Sequence, residues 1–279
     1  MPLFSFWAHI PEYINPIAFT IGPVSVHWYG MMYAVAFSIV YCLVLYRIKM
    51  ENIGYTKEVV SDFMGWAICG ILLGGRFGYV LFYNFNYFIA HPLNIISPID
   101  YSKGFHYVGI YGMSYHGALL GLWTALIIFC RRRKIDSWHF LDVFIPAIPL
   151  GYTFGRLGNF INGELYGRVT TVPWAMYFPL DVTHQLRHPS QLYEAFFEGI
   201  VLFLILWSLR KIKVFNGFLS GVYLVGYGMV RFFIEFVREP DPQLGFVVGP
   251  LTMGQVLCLG MIACGAVILL VNWKKSQKV

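Results

Sequence analysis

Long apolar runs separated by short polar stretches dominate the chain. A membrane-spanning helix needs about 20 mostly apolar residues, and seven runs approach that length: roughly 24–46, 59–83, 112–130, 138–156, 192–209, 217–237 and 250–273. The fourth run is irregular, because Pro146 and Pro149 interrupt it and Asp142 lies within it. Broken helices are tolerated where neighbours or water satisfy the freed backbone groups. The pattern predicts an all-α polytopic membrane protein with seven transmembrane helices.

The basic residues predict the orientation. Of the 20 Lys and Arg residues, thirteen follow the ends of spans one, three, five and seven, whereas residues 1–23 have none and 84–111 have only Lys103. Because Lys and Arg are enriched in cytoplasmic loops, we expect the N-terminus outside, in the periplasm, and the C-terminus in the cytoplasm. The net charge of +6 then reflects inner-face charges that contact anionic lipid, and we expect no nucleic-acid partner.

The remaining segments are expected to lie outside the membrane. We predict one membrane domain over 1–279, with an external interfacial arm at 1–23, an external loop at 84–111 and an external head or signature loop at 157–191. The start has no basic n-region, so no cleavable signal peptide is predicted. The five cysteines all fall within apolar spans, which argues against a disulfide framework, a cysteine nucleophile and a metal site.

Three arginines are predicted to lie in the outer third of the membrane. Arg76, Arg156 and Arg231 are inside or at the rim of apolar spans, where an arginine costs at least ~2.5 kcal/mol. Guanidinium groups that converge from separate helices suit a phosphate, which they bind through paired hydrogen bonds. The phosphate available at that depth belongs to an outer-leaflet phospholipid.

Span six carries a polar stripe. Tyr227, Arg231 and Glu235 are spaced four apart and Arg238 follows three later, so all four share one helix face. A self-neutralising Arg–Glu pair within the helix is the alternative to an anion site.

Four further polar features are predicted on the external side or at the depth of the arginines. The stretch GRLGNFINGELYGR at 155–168 is rich in glycine and asparagine, which favours a polar loop; an ordinary surface loop is the alternative. His116 has a side chain suited to proton transfer, although a structural role is also open. Tyr29 begins span one, where membrane-interface anchoring is the alternative. In HPSQLYE at 188–194, Glu194 can face the bundle interior.

Six motifs resemble those of the bacterial prolipoprotein diacylglyceryl transferases, in the same order and over nearly the whole chain. They are HWYG (27–30), GGRFGYVLFYN (74–84), HGALLG (116–121), GRLGNFINGELYG (155–167), HPSQLYE (188–194) and YGMVRFFIEFVREPD (227–241). The resemblance implies a multi-pass enzyme of the bacterial plasma (inner) membrane. It implies transfer of the diacylglyceryl group of phosphatidylglycerol to the lipobox cysteine thiol of prolipoproteins, with release of glycerol phosphate. No metal or organic cofactor is expected.

Site residues follow from the resemblance, position by position: Tyr29, His116, Arg156, Asn159, Glu164, Gly167, Tyr227, Arg231 and Glu235. Phosphatidylglycerol is expected to bind six of these residues: Tyr29, Arg156, Asn159, Gly167, Tyr227 and Arg231. It is also expected to bind Arg76, which is selected by its depth in the membrane.

The expected chemistry assigns two main roles. Arg156 and Arg231 form the phosphate clamp, with Arg76 as a third member. His116 is the leading candidate base for the substrate thiol, and Glu164 and Glu235 are the alternatives.

Other protein classes also place charges at membrane depth. A transporter of an anionic or lipid substrate is the main alternative, but seven spans do not divide into duplicated halves. An intramembrane protease and a passive lipid-binding protein are further alternatives.

Overall fold

The structure is a computed structural model that describes residues 3–22, 24–95, 99–100, 106–107, 112–212, 214–239 and 246–277. Four of its helices are long and apolar enough to cross a membrane: Trp28–Met50, Lys57–Tyr83, Ser190–Leu209 and Met253–Ser276. The chain is therefore a mostly helical polytopic membrane protein. Lys103, Lys213 and Lys278, and most of the predicted external loop beyond residue 95, lie outside the described residues.

The chain forms two compact units, Met1–Ile53 with Leu141–Val279, and Gly54–Phe140. The elements of the first unit, with α6 beginning just before it, are α1 (Leu3–Tyr13), β1 (Ile17–Ile21), β2 (Val24–His27), α2 (Trp28–Met50), α6 (Ser137–Phe144), α7 (Ile148–Ile161), α8 (Ser190–Tyr193), α9 (Leu202–Leu209), α10 (Phe218–Ile234), β5 (Phe246–Val248), β6 (Leu251–Thr252) and α11 (Met253–Ser276). A π-helical segment, Glu194–Val201, joins α8 to α9.

The second unit is built on two closely packed helices. Its elements are α3 (Lys57–Tyr83), α4 (Phe85–Ala90), β3 (Ile99–Asp100), β4 (His106–Tyr107) and α5 (Tyr115–Arg133). A Cβ atom added to Gly74 or Gly117 would collide with the backbone oxygen of the other. Small residues thus let α3 and α5 approach to backbone contact, as is common between membrane helices.

The prediction of an all-α fold is wrong in detail, because short strands are present. Three antiparallel two-stranded pairs form: β1–β2, β3–β4 and β5–β6. Residues 24–27, predicted as the start of span one, form β2, and the helix begins at Trp28. Their sequence, Val-Ser-Val-His, alternates apolar and polar residues, which is the period of a strand rather than a helix.

The predicted polar loop at 155–168 is wrong in its first half. Helix α7 continues to Ile161, so Arg156 lies inside the helix and the head predicted from residue 157 begins in its last turn. In apolar surroundings a helix satisfies its own backbone hydrogen-bonding groups, which outweighs the low helix propensity of glycine. Gly158 also lies against the ring of Tyr29, 3.0 Å from where its Cβ would be.

The break predicted in span four is confirmed. A 3₁₀ turn, Ile145–Ala147, separates α6 from α7. Asp142 accepts hydrogen bonds from the backbone nitrogens of Gly217, at 2.7 Å, and Ser220, at 2.8 Å. This aspartate therefore supplies acceptors for backbone N–H groups at the start of α10, which lack partners within the helix.

Arg47 does not behave as a solvated inner-face charge. Arg47 is only 3% exposed. Its guanidinium donates to the backbone carbonyl oxygens of Asp142, at 2.8 Å, and Val143, at 2.7 Å. Glu51 pairs with both Arg47 and Arg210 at 3.0 Å. The arginine is therefore a buried link between α2 and the break before α7.

A polar head follows α7. Arg187 is held by Asp181, with Nε 2.7 Å from Oδ2, and its backbone pairs with Met176. Burial by itself would raise the pKa of the Asp181 carboxyl, but hydrogen bonds from Arg187 and Thr183 hold this pKa well below its usual value. The arm contributes as well, because the backbone nitrogen of Tyr177 donates to the oxygen of Ala8 at 2.7 Å.

Gly167 lies where the head meets the end of α10. Its backbone nitrogen donates to the oxygen of His188 at 2.8 Å, and its backbone pairs with Arg238. An added Cβ would lie 2.8 Å from the His188 Cβ and would collide with the backbone oxygen of Val237. No side chain fits without moving one of these segments.

We predict that Gly167→Ala loosens the head from α10, whereas Gly155→Ala does not. A Cβ at Gly155 would meet nothing within 4 Å, so this helical glycine is the matched control. Hydrogen exchange of the segment around residues 167–188 measures the effect, and Gly167→Ala should speed exchange by at least about tenfold, equivalent to ~1.4 kcal/mol. Equal protection in the two variants would contradict the steric argument.

Candidate active site

Three arginines converge on one buried glutamate. Glu194 is the first residue of the π-helical segment and is fully buried. Its Oε2 lies 2.7 Å from Nε of Arg156 on α7. Its Oε1 lies 3.2 Å from Nη1 of Arg231 on α10 and 3.3 Å from Nη1 of Arg238. The structure thus brings together the two arginines predicted as the clamp and confirms that Glu194 faces the interior.

Two further carboxylates complete the group around Arg231. Its Nη2 lies 2.8 Å from Oε2 of Glu235, and its Nη1 lies 3.7 Å from Oε1 of Glu198. The hydroxyl of Thr252 donates to Oε1 of Glu235 at 3.0 Å. The pair within span six, considered as the alternative to an anion site, is therefore present, but it belongs to a larger set of charges.

We call this set the charge cluster; its members are Arg156, Arg231, Arg238, Glu194, Glu198 and Glu235. Three guanidinium groups face three carboxylates, so the formal charges cancel when all six are ionised. Burying a charge without a partner is costly, and this balance lets six ionisable side chains stand among apolar helices. Each arginine is oriented before any ligand arrives.

Tyr152 connects α7 to the π-helical segment. Its hydroxyl donates to Glu198 and accepts a hydrogen bond from Nε of Arg156 at 2.6 Å. Its ring packs edge-on against Tyr227, with centroids 5.9 Å apart, and this contact places Tyr227 beside the charge cluster. The tyrosine therefore bridges a clamp arginine and a buried carboxylate.

A second chain of contacts leads from Arg156 towards the head. Nη1 of Arg156 donates to Oδ1 of Asn159 at 3.3 Å, and Nδ2 of Asn159 donates to Oε1 of Glu164 at 2.8 Å. Gln191 fixes the backbone of Glu164 by donating to its oxygen at 2.6 Å. Unlike the carboxylates of the charge cluster, Glu164 is only half-buried. The Tyr29 hydroxyl lies 3.1 Å from the hydroxyl of Tyr33, and the Tyr29 ring lies against Gly158 on α7.

The other two predicted residues belong to the second unit. Arg76 on α3 is half-buried, and its guanidinium donates to the carbonyl oxygens of Asn94, at 2.5 Å, and Ile95, at 2.7 Å. His116 lies in the first turn of α5, where it is exposed and stacks edge-on against Tyr115 at 5.7 Å. The roles predicted for both residues remain predictions.

Within the residues that the structure describes, no group of three or more His, Cys, Asp or Glu side chains is placed to hold a metal ion. The three arginines of the charge cluster carry groups that could bind an anion, because guanidinium forks match the geometry of a phosphate.

Sequence reasoning missed Tyr152 and Glu198. Glu198 follows Glu194 by four residues inside an apolar span, and an acidic residue at membrane depth is itself a functional signal. That rule alone would have selected it. Nothing in the sequence singles out Tyr152 among 19 tyrosines; only the fold places its hydroxyl between Arg156 and Glu198.

Comparison with known proteins identifies the family of the chain. The family described as "prolipoprotein diacylglyceryl transferase" matches residues 16–271. A protein of Chlorobaculum tepidum named phosphatidylglycerol–prolipoprotein diacylglyceryl transferase is 56% identical, over 98% of this chain and 94% of its own length. A protein of the same name from Pseudoalteromonas translucida is 47% identical over 95% of this chain and 95% of its own length. Another, from Campylobacter hominis, is 42% identical over 98% of this chain and 96% of its own length. The chain belongs to the prolipoprotein diacylglyceryl transferase family.

Proposed function

We propose that this chain transfers the diacylglyceryl group of phosphatidylglycerol to the lipobox cysteine thiol of prolipoproteins in the bacterial inner membrane. The names of its relatives specify the lipid donor and the protein acceptor. The single observation that carries the assignment to residues is the convergence of Arg156 and Arg231, from separate helices, on Glu194.

The reaction breaks a bond between the lipid's glyceryl carbon and a phosphate oxygen. The substrate sulfur forms a thioether with that carbon, and glycerol phosphate leaves. Negative charge grows on the departing phosphate, so donors aimed at it in advance lower the barrier. Arg156 and Arg231 are those donors, and Glu194 holds them in place until the phosphate competes for their N–H groups.

The thiol must lose its proton during attack. Of the candidate carboxylates, Glu235 is already engaged by Arg231 and Thr252 within the buried charge cluster. Glu164 is half-buried and is linked to Arg156 through Asn159. Glu164 is therefore the better supported carboxylate base, and His116 is its competitor. Asn159 and Tyr29 position the clamp and the headgroup.

The fold of the active chain has seven spans, with the N-terminus outside and the C-terminus in the cytoplasm. Helix α5 has 19 residues, about 28 Å at 1.5 Å per residue. The pair α6–α7 and the shorter α10 supply the other two spans beyond the four long helices. The arm, the 84–111 loop and the head then lie outside a single membrane domain, with Arg156 and Arg231 near the outer leaflet.

A transporter of an anionic lipid is the remaining alternative, since it would also place balanced charges between helices. Transport would leave phosphatidylglycerol chemically intact. The decisive measurement is incubation of the purified protein with phosphatidylglycerol and a lipobox peptide, followed by mass spectrometry. A mass gain of one diacylglyceryl group on the cysteine supports transfer, and an unmodified peptide overturns it.

In that assay, we predict that Arg231→Lys lowers the transfer rate by about 10²-fold. Lysine keeps the charge but lacks the planar fork that bridges Glu194 and Glu235 and would bridge two phosphate oxygens. The exposed Arg132 on the second unit is the control, and Arg132→Lys should transfer at the normal rate. Full activity of Arg231→Lys would remove Arg231 from the clamp.

The base can be assigned by comparing two neutral substitutions. We expect Glu164→Gln to slow transfer by at least about 10²-fold and His116→Ala to slow it less, with the exposed Glu58→Gln as the control. Rates measured against pH at saturating peptide check the assignment. A larger loss in His116→Ala than in Glu164→Gln would return the role to the histidine.

Reporter fusions measure on which side of the membrane each loop or terminus lies. We predict that a fluorescent protein fused after Arg133 or Lys275 is fluorescent in the cytoplasm, because the flanking charges are inner-face charges. A fusion after Tyr83 should give activity to alkaline phosphatase, which requires the external side. External activity at Lys275 would contradict the seven-span arrangement.

A further inference from the structure

Glu198 is a buried carboxylate that the transfer chemistry above does not use. It is fully buried in the π-helical segment. Its Oε2 accepts the hydrogen bond from Tyr152, but its Oε1 makes no hydrogen bond within the described residues. Its nearest cation is Arg231, at 3.7 Å.

The other two glutamates of the charge cluster are held more firmly. Glu194 is contacted by three arginines, at 2.7, 3.2 and 3.3 Å. Glu235 also has one oxygen, Oε2, without a regular hydrogen bond within the described residues, but that oxygen has an arginine at 2.8 Å and its Oε1 has a hydroxyl donor at 3.0 Å. The ionised form of Glu198 therefore has the weakest ion pairing of the three, and its nearest cation is Arg231.

The charge balance of the cluster changes when a phosphate arrives. Three guanidinium groups face three carboxylates, and a phosphodiester brings one further negative charge. When a headgroup phosphate pairs with Arg231, this cation stabilises the ionised form of Glu198 less. An uncompensated buried carboxylate is strongly disfavoured, and such a group gains a proton instead.

We propose that an anionic phosphate headgroup binds to the charge cluster together with one proton, and that Glu198 takes up this proton. The inference rests on the proposed function and deepens it, because it couples the affinity for the lipid donor to pH. Glu198 acts here as a positioning residue: it keeps the cluster neutral with and without the phosphate, and it does not touch the reacting atoms.

Other titratable groups also face Glu198. From α7 these are Tyr152 and Arg156; from α10, Arg231 and Tyr227; from α11, Cys258; and from its own segment, Glu194. Glutamine at position 198 separates their contributions from that of Glu198, because it keeps the shape of a protonated carboxyl and removes the titration.

The test is lipid binding measured against pH. The purified chain in detergent is titrated with short-chain phosphatidylglycerol between pH 6 and 9, a range in which the phosphodiester keeps its charge. If one proton is taken up, the Kd rises with pH, by up to about tenfold per pH unit. Calorimetry in two buffers of different ionisation enthalpy counts the protons directly. Short-chain diacylglycerol, which lacks the phosphate, should show no proton uptake.

The variants decide which residue carries the proton. Glu198→Gln should bind phosphatidylglycerol with a Kd that does not change with pH. Glu235→Gln should keep the wild-type rise of Kd with pH. Wild-type binding without proton uptake overturns the inference, as does an unchanged slope in Glu198→Gln. Transfer to the lipobox peptide is measured on the same preparations. Wild-type transfer without proton-linked binding refutes this inference alone, while absence of transfer refutes the proposed function.

Discussion

The neutralisation of buried charge between α7, the π-helical segment and α10 is the constraint on which the site depends. Glu194 pairs with arginines from two elements at one point. Glu198 and Glu235 balance the two remaining positive charges of the charge cluster. Such clusters are expensive to bury and become acceptable only when every member has a partner. In this cluster, the ion pairs with the glutamates fix the orientation of the arginine side chains.

The surroundings of the cluster explain how its geometry is kept. Thr252 at the start of α11 holds Glu235, and Gln191 holds the backbone beside Glu164. At the opposite end of α10, neighbouring segments are joined through Arg47, Glu51 and Asp142. Polar networks therefore lie at both ends of the first unit, and apolar packing of Ile145, Leu202, Leu206 and Leu219 fills the space between.

Much of this was accessible from the sequence, for identifiable reasons. Apolar run lengths predicted the long helices, and membrane depth selected Arg156 and Arg231, the two arginines that converge on Glu194. The loop prediction at 155–161 failed because glycine propensity was weighed without the apolar surroundings that force a helix. The strand at 24–27 was missed because its valines resembled the start of a span. Tyr152 and the pairing of Glu198 depend on contacts between distant segments, which no local pattern encodes.

The π-helical segment has a consequence for how this family tolerates changes in length. Its wider turn accommodates one more residue than an α-helix would, and it directs Glu194 and Glu198 to α7 while Gly199 lies against Thr153. Loss of a single residue between Glu194 and Glu198 could be absorbed by a return to regular α-helical winding, which would leave Leu202 close to its present orientation. It would, however, shorten the spacing of the two glutamates from four residues to three and so separate one of them from its partners on α7 and α10. Residue number therefore matters in this stretch as well as residue identity.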